Sequence, residues 1–226
     1  TGDLASDVSG VGTTNIIADV SSAKTIAQGT FTVAEDKEFT NTGSVTADIL
    51  TNAGTVTNTS SITVNTTLAN TSTIANDGTV TIDGATENAG TINGVGKLVL
   101  NENFENKGTI TQNILTVAED KTLINDADKT ITVNTTLTNG GTIQNEGIFN
   151  LSGTNSLGLI TDSATPSGTL NLTGTITADD TVTQKEVNVN SGSLAVGALI
   201  TAANLNNSAE VTSNADYLAI SDGIAN

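Results

Sequence analysis

The chain has 226 residues, 36% of them hydrophobic, with 24 acidic and 7 basic side chains and a net charge of −17. It contains no His, Cys, Met, Trp or Arg, which excludes His-based catalysis, thiolate metal sites, disulfides and bidentate Arg clamps on anions. The acidic balance and only five aromatic residues, four Phe and one Tyr, exclude nucleic acid as a partner and disfavour anionic lipid surfaces.

Thr (43) and Asn (27) dominate the composition, so Ile, Val and Leu must build a core that aromatics normally share. In chain order, residues 1–30 are rich in Ala and Ser and read as an N-terminal cap or docking segment. Solenoid repeats are expected over 31–193. They open with "FTVAEDKEF" at 31–39, which is echoed by "LTVAEDKTL" at 115–123. From Leu50 a repeat of eighteen is explicit: "NAGTV" starts at Asn52, "NTSTI" at Asn70, "NAGTI" at Asn88 and "NKGTI" at Asn106.

Inside that repeat lies a grid of six, carried by Leu50, Val56, Ile62, Leu68, Ile74, Val80, Ile92, Leu98, Phe104 and Ile110, with Thr86 the one interruption. Six steps of about 100° do not return to one face of a helix, whereas a coil with three short straight sides keeps the spacing. Val56, Ile62, Leu68, Ile74, Val80, Ile92, Leu98 and Ile110 are therefore the candidate core. Period-two triplets supply the strands, from "ITV" at 62–64 to "VNV" at 187–189.

The Asn-x-Gly groups between them read as turns that use positive φ. Asn52, Asn70, Asn88 and Asn106, with Gly54, Gly90 and Gly108, form a candidate turn ladder in which amides bond from coil to coil, about 4.8 Å apart. Beyond Asn106 the rhythm changes length, with a coil of about fourteen residues from Leu123 to Leu137. Residues 194–226 read as C-terminal coils or a cap. The longest apolar stretch, "LAVGALITAA" at 194–203, is about half of a membrane span. The lack of an initiating Met or a signal sequence suggests a mature product or a fragment.

The prediction is an all-β chain, a single parallel β-solenoid (β-helix) of about 18 residues per coil and roughly twelve coils. Chemistry is sparse. The acidic runs at 34–38, 118–120, 126–128 and 178–180 read as solvated corners; the carboxylates could alternatively serve glycoside cleavage on a β-helix. Asp126, Asp128, Asp179 and Asp180 are candidates for weak Ca2+ binding, with no other cofactor or metal expected. The Thr-x-Thr triplets at 55–57, 71–73 and 79–81 raise ice binding, but their starts are sixteen and then eight residues apart, which does not place them one above another. Asn-x-Ser/Thr sequons at Asn58, Asn65, Asn70, Asn134, Asn150, Asn171 and Asn206 permit glycosylation.

At "LTNAGTVTNTSSITV" and its successors, across most of 31–190, the chain resembles the β-helical passengers of bacterial autotransporter and two-partner-secreted adhesins. The resemblance implies a right-handed β-helix, export to the extracellular cell surface, and a role in adhesion, aggregation or biofilm formation. The six-residue grid is equally a feature of left-handed hexapeptide helices, which leaves handedness open. The functional expectation is a non-enzymatic, secreted adhesive or structural module, a filament or stalk subunit. Its expected partners are other copies, through end-to-end or strand-exchange contacts, and cell-surface or matrix glycans or proteins; no membrane insertion is expected.

Overall fold

Strand alternation decides which side chains enter the core. In Thr55–Asn58 the buried residues are Val56 and Asn58, while Thr55 and Thr57 face out, and Thr73–Asn76, Thr79–Ile82, Lys97–Leu100 and Thr142–Asn145 repeat the pattern. The computed structural model, which describes residues 2–213 and 217–225, is an all-β parallel β-solenoid of about 12 turns set about 18 residues apart. No α-helix occurs among the described residues. Thr1, Asn214, Ala215, Asp216 and Asn226, which belong to the two terminal segments, lie outside them.

The chain divides into two units, Thr1–Gln112 and Asn113–Asn226. In the first, three walls each stack in register. One runs Phe39, Val56, Ile74, Ile92, Ile110; a second runs Ile26, Val45, Ile62, Val80, Leu98; the third runs Phe31, Leu50, Leu68, Thr86, Phe104. All eight candidate core residues are buried in these stacks. At about 1.5–3 kcal/mol for each buried aliphatic side chain, they supply the main driving force. Thr86 holds its place in the third wall because its hydroxyl donates to Leu68 O (2.6 Å) and accepts from Leu68 N (3.0 Å). Two of the four Phe, Phe31 and Phe39, pack with ring centroids 4.8 Å apart.

In the second unit, Ile131, Phe149, Leu170, Val187 and Leu205 form one wall; Leu123, Ile143, Ile160, Val182 and Ile200 form another; Ile176, Leu194 and Val211 belong to the third. Leu123 pairs with Ile143, not Leu137, so the expected fourteen-residue coil is a twenty-residue one. The short sequence distance to Leu137 only links neighbouring walls. Strands continue into the terminal segments: Val8 pairs with Ile26, and Ile200 with Leu218.

The chain bends after the asparagine of each Asn-x-Gly group, as expected, but the positive-φ reading is corrected. Among the described residues, positive φ outside glycine occurs only at Asp36, Asp120 and Asp128, and Gly54, Gly90 and Gly108 are not among the positive-φ glycines. Those glycines answer to close approach. A Cβ on Gly108 would stand 1.9 Å from Gly90 O, on Gly90 2.1 Å from Ser72 O, and on Gly54 2.3 Å from both Ala34 O and Lys37 O. Each coil corner sits on the carbonyl of the coil before it, leaving no room for a methyl group.

Candidate functional site

The asparagines are the inward ends of strands, two residues after the side chain that fills the same wall: Leu50 before Asn52, Leu68 before Asn70, Thr86 before Asn88 and Phe104 before Asn106. Their amides make two buried ladders in the first unit. Asn52 Nδ2 donates to Asn70 Oδ1 (2.8 Å), Asn70 to Asn88 (2.7 Å) and Asn88 to Asn106 (3.1 Å). On another wall Asn41 donates to Asn58 (2.8 Å) and Asn58 to Asn76 (2.8 Å). The second amide hydrogen goes to a backbone carbonyl where the next strand begins, as in Asn52 to Thr73 O (2.9 Å) and Asn70 to Thr91 O (3.3 Å). Both donors of a buried primary amide are thereby satisfied, which burial demands. Asn52 Oδ1, below which the register places Val33, is the unpartnered first rung.

Where a coil lacks the asparagine, a glutamine spans the gap. Gly94 occupies the rung above Asn76, and Gln112, one coil further, reaches past it to accept from Asn76 Nδ2 (2.7 Å). In the second unit Asn125 donates to Asn145 (2.8 Å), and Asn145 donates to Gln184 Oε1 (2.6 Å) across the coil in which Asp162 turns away to accept from Ser167 N and Gly168 N. The extra methylene of Gln supplies reach that Asn lacks. A third, half-buried ladder lies on the outer surface, where Asn206, Asn188 and Asn171 donate in turn to Asn188, Asn171 and Asn150 (2.7, 2.7 and 2.8 Å).

The outward side chains build walls of hydroxyls. Thr55, Thr73, Thr91 and Thr109 stand directly above one another, beside the column Thr57, Ala75, Asn93 and Thr111. A second array stacks Ser44/Thr46, Ser61/Thr63 and Thr79/Thr81. These registers bear out the spacing argument for the complete triplets and show, beside it, stacked hydroxyl columns that the argument did not consider. The triplets at 55–57 and 79–81 lie on different walls, the first mixing Thr with Ala and Asn, the second mixing Thr with Ser, at steps of seventeen or eighteen residues. Sequence reasoning missed the columns because it searched only for complete Thr-x-Thr triplets.

No acidic side chain is buried among the described residues; Glu38, Asp48, Glu87, Glu105, Glu186 and Glu210 lie in strands, whereas the acidic runs at 34–36, 118–120 and 126–128 sit at corners. Asp36, Asp120 and Asp128 take the left-handed position of three equivalent turns, each closed by a bond from Lys N to the carbonyl three residues earlier: Lys37 to Ala34, Lys121 to Ala118 and Lys129 to Asp126. A polar hollow of about 560 Å³ beside the first is lined by Glu35, Asp36, Gly54, Thr55, Thr71 and Ser72. Of the calcium candidates, Asp128 shapes its turn, Asp179 accepts from Gly158 N (2.9 Å) and Asp180 from Thr181 N (2.6 Å). Asp126 belongs to the Asp128 turn. No group of three or more acidic side chains able to hold a metal ion is found among the described residues.

Glu87 and Glu105 face each other in register, and Lys107 bridges both. The hydrogen bond that Lys107 donates to Glu87 first, then the one it donates to Glu105, holds its ammonium well above the ordinary lysine range. Such a raised pKa keeps its contribution through neutral pH and loses it only as pH rises beyond about 10.4.

No protein-family model, curated protein or solved structure matches the chain.

Proposed function

We propose that the chain is an extracellular structural and adhesive module, a stretch of surface fibre or stalk whose function is repeated contact along a rigid wall. The observation that carries this reading is the run of four uncharged rungs Thr55, Thr73, Thr91 and Thr109, which follow Glu38 in the same column and are held in register in a chain of net charge −17. Hydroxyls repeating at about 4.8 Å offer the same hydrogen-bonding geometry many times over, so individually weak contacts add. The partners in this reading are cell-surface or matrix glycans and proteins, and further copies of the chain.

The test is retention on glycan and matrix-protein arrays by the wild type and by T55V/T73V/T91V/T109V. Valine keeps the β-branched shape and strand preference while removing each hydroxyl. The variant is expected to fold normally and lose retention by about tenfold or more. Retention unchanged by the four substitutions, or a wild type that binds no array, would dismiss the adhesive wall.

A second reading is favoured by the other array. Ser44/Thr46, Ser61/Thr63 and Thr79/Thr81 repeat at about 4.8 Å between coils and about 6.8 Å along the strand, close to the oxygen repeats on a face of ice. An ice-binding solenoid would show thermal hysteresis that T63V/T81V abolishes. A wild type without hysteresis ends that reading and leaves the adhesive one untouched.

A further inference from the structure

The sequence holds two Asn-Gly pairs, Asn93-Gly94 and Asn139-Gly140. Asn-Gly is the dipeptide most open to attack of its own backbone on the side-chain amide, because the glycine nitrogen carries no neighbouring side chain to block its approach. The fold treats the two differently.

Asn139 is held at both reacting ends. Its Nδ2 donates to Leu157 O (3.0 Å) and Leu159 O (3.1 Å), and the Gly140 N–H donates to Val117 O (2.9 Å). Cyclisation there requires breaking all three bonds. Asn93 is exposed at the end of the short strand Thr91–Asn93, and its side chain makes no hydrogen bond among the described residues. Gly94, which follows, has φ +129, and a Cβ there would stand 2.2 Å from Asn76 O. The position is thus bound to glycine by packing, and a reactive dipeptide is retained at the surface.

We propose that Asn93-Gly94 is a site of spontaneous covalent modification, in which Asn93 converts to aspartate and isoaspartate while Asn139 is spared. Hydroxide removes the Gly94 amide proton, the nitrogen attacks Asn93 Cγ, the new N–C bond forms and the Cγ–Nδ2 bond breaks, releasing ammonia. Water then opens the five-membered imide at either carbonyl. Attack at one restores the main chain with an aspartate side chain; attack at the other leaves the backbone running through the former side chain, one methylene longer. Either product puts a carboxylate into the column Thr57, Ala75, Asn93, Thr111, where none of the four residues is charged.

The test is incubation of the intact protein at mildly alkaline pH, cleavage after lysine, and mass spectrometry of the peptides 38–97 and 130–185, with isoaspartate detected by enzymatic carboxyl methylation. In the folded protein the Asn93 peptide is expected to deamidate at least about tenfold faster than the Asn139 peptide, and the two rates to converge in strong denaturant, where both sites are open. Asn93→Gln should remove the gain from the first peptide. Equal rates in the folded protein, faster conversion at Asn139, a rate difference that persists in denaturant, or a gain that survives Asn93→Gln would each overturn the proposal.

Discussion

Asn70→Ala is expected to lower the unfolding free energy by about 3 kcal/mol, although the residue removed is polar and its neighbours in sequence are Thr, Ala and Ser. The residue is 1% exposed and is the second of four rungs in its ladder. Its loss takes the acceptor from Asn52 Nδ2 (2.8 Å) and the donors from Asn88 Oδ1 (2.7 Å) and Thr91 O (3.3 Å), and leaves a cavity that water cannot enter freely. Unmatched buried polar atoms cost about 1–3 kcal/mol each, which makes the loss larger than the net worth of the bonds themselves. Asn65→Ala is the control. Its amide is exposed and donates only to exposed Asp48 (2.9 Å), so a change within about 0.5 kcal/mol is expected. Urea unfolding followed by circular dichroism separates the two; a similar small effect at both positions would show that the ladder carries no stability.

Asn70→Asp gives the same argument a pH axis. The new carboxylate oxygen replaces a donor and faces two acceptors, Asn88 Oδ1 and Thr91 O, in a buried site. Both burial and those acceptors push the carboxyl pKa above its ordinary value of about 3.9. The folded state then binds the proton more tightly than the unfolded state. Relative to wild type at each pH, the variant is therefore most stable below about pH 3.9, where the protonated carboxyl donates to Asn88, and loses stability as pH rises through the raised pKa. A deficit independent of pH would mean that position 70 opens to solvent.

The aliphatic grid was legible because a six-residue period has one economical structural meaning, and Val56, Ile62, Leu68 and Ile74 lie where it puts them. The ladder residues were legible in spacing and misread in environment. Asn-x-Gly resembles a turn, yet most of these Asn stand two positions after a buried aliphatic, as in Val56 and Asn58, Leu68 and Asn70, Ile74 and Asn76. Strand parity alone points those amides inward, and that signal was available. What no local pattern carries is the reach of Gln112 to Asn76 or of Gln184 to Asn145, which depends on a coil without an asparagine between them. The column Thr55, Thr73, Thr91 and Thr109 keeps the eighteen-residue step of the repeat itself and was legible there; comparing only complete Thr-x-Thr triplets passed it over. Glycine carried the opposite ambiguity, since a residue that permits positive φ also permits contact with a carbonyl at a distance no methyl group tolerates.

Ile92→Asp, and equally Ile74→Asp, should abolish folding, whereas an aspartate facing outward should be tolerated. Ile92 is fully buried between Ile74 and Ile110, in the coil where Gly94 interrupts the amide ladder, so no polar group at that level is free to solvate a carboxylate. An unpaired buried charge costs several kcal/mol even after relaxation, comparable with the whole stability of an ordinary domain at about 5–15 kcal/mol. Thr57 is a poor outward control, because its hydroxyl lies 3.2 Å from Glu38 Oε1 and an aspartate there would meet a like charge. Thr73, flanked in register by Thr55 and Thr91, is the sound choice, and Thr73→Asp should cost under about 1 kcal/mol through lost strand preference. Circular dichroism and limited proteolysis of the two variants decide the matter. Ile92→Asp should be unfolded and cleaved throughout, and Thr73→Asp should resist like the wild type. Neighbouring coils of one wall would then differ in tolerance only through the direction each side chain faces, and equal behaviour at 73 and 92 would remove the dry aliphatic interior as the cause of the fold.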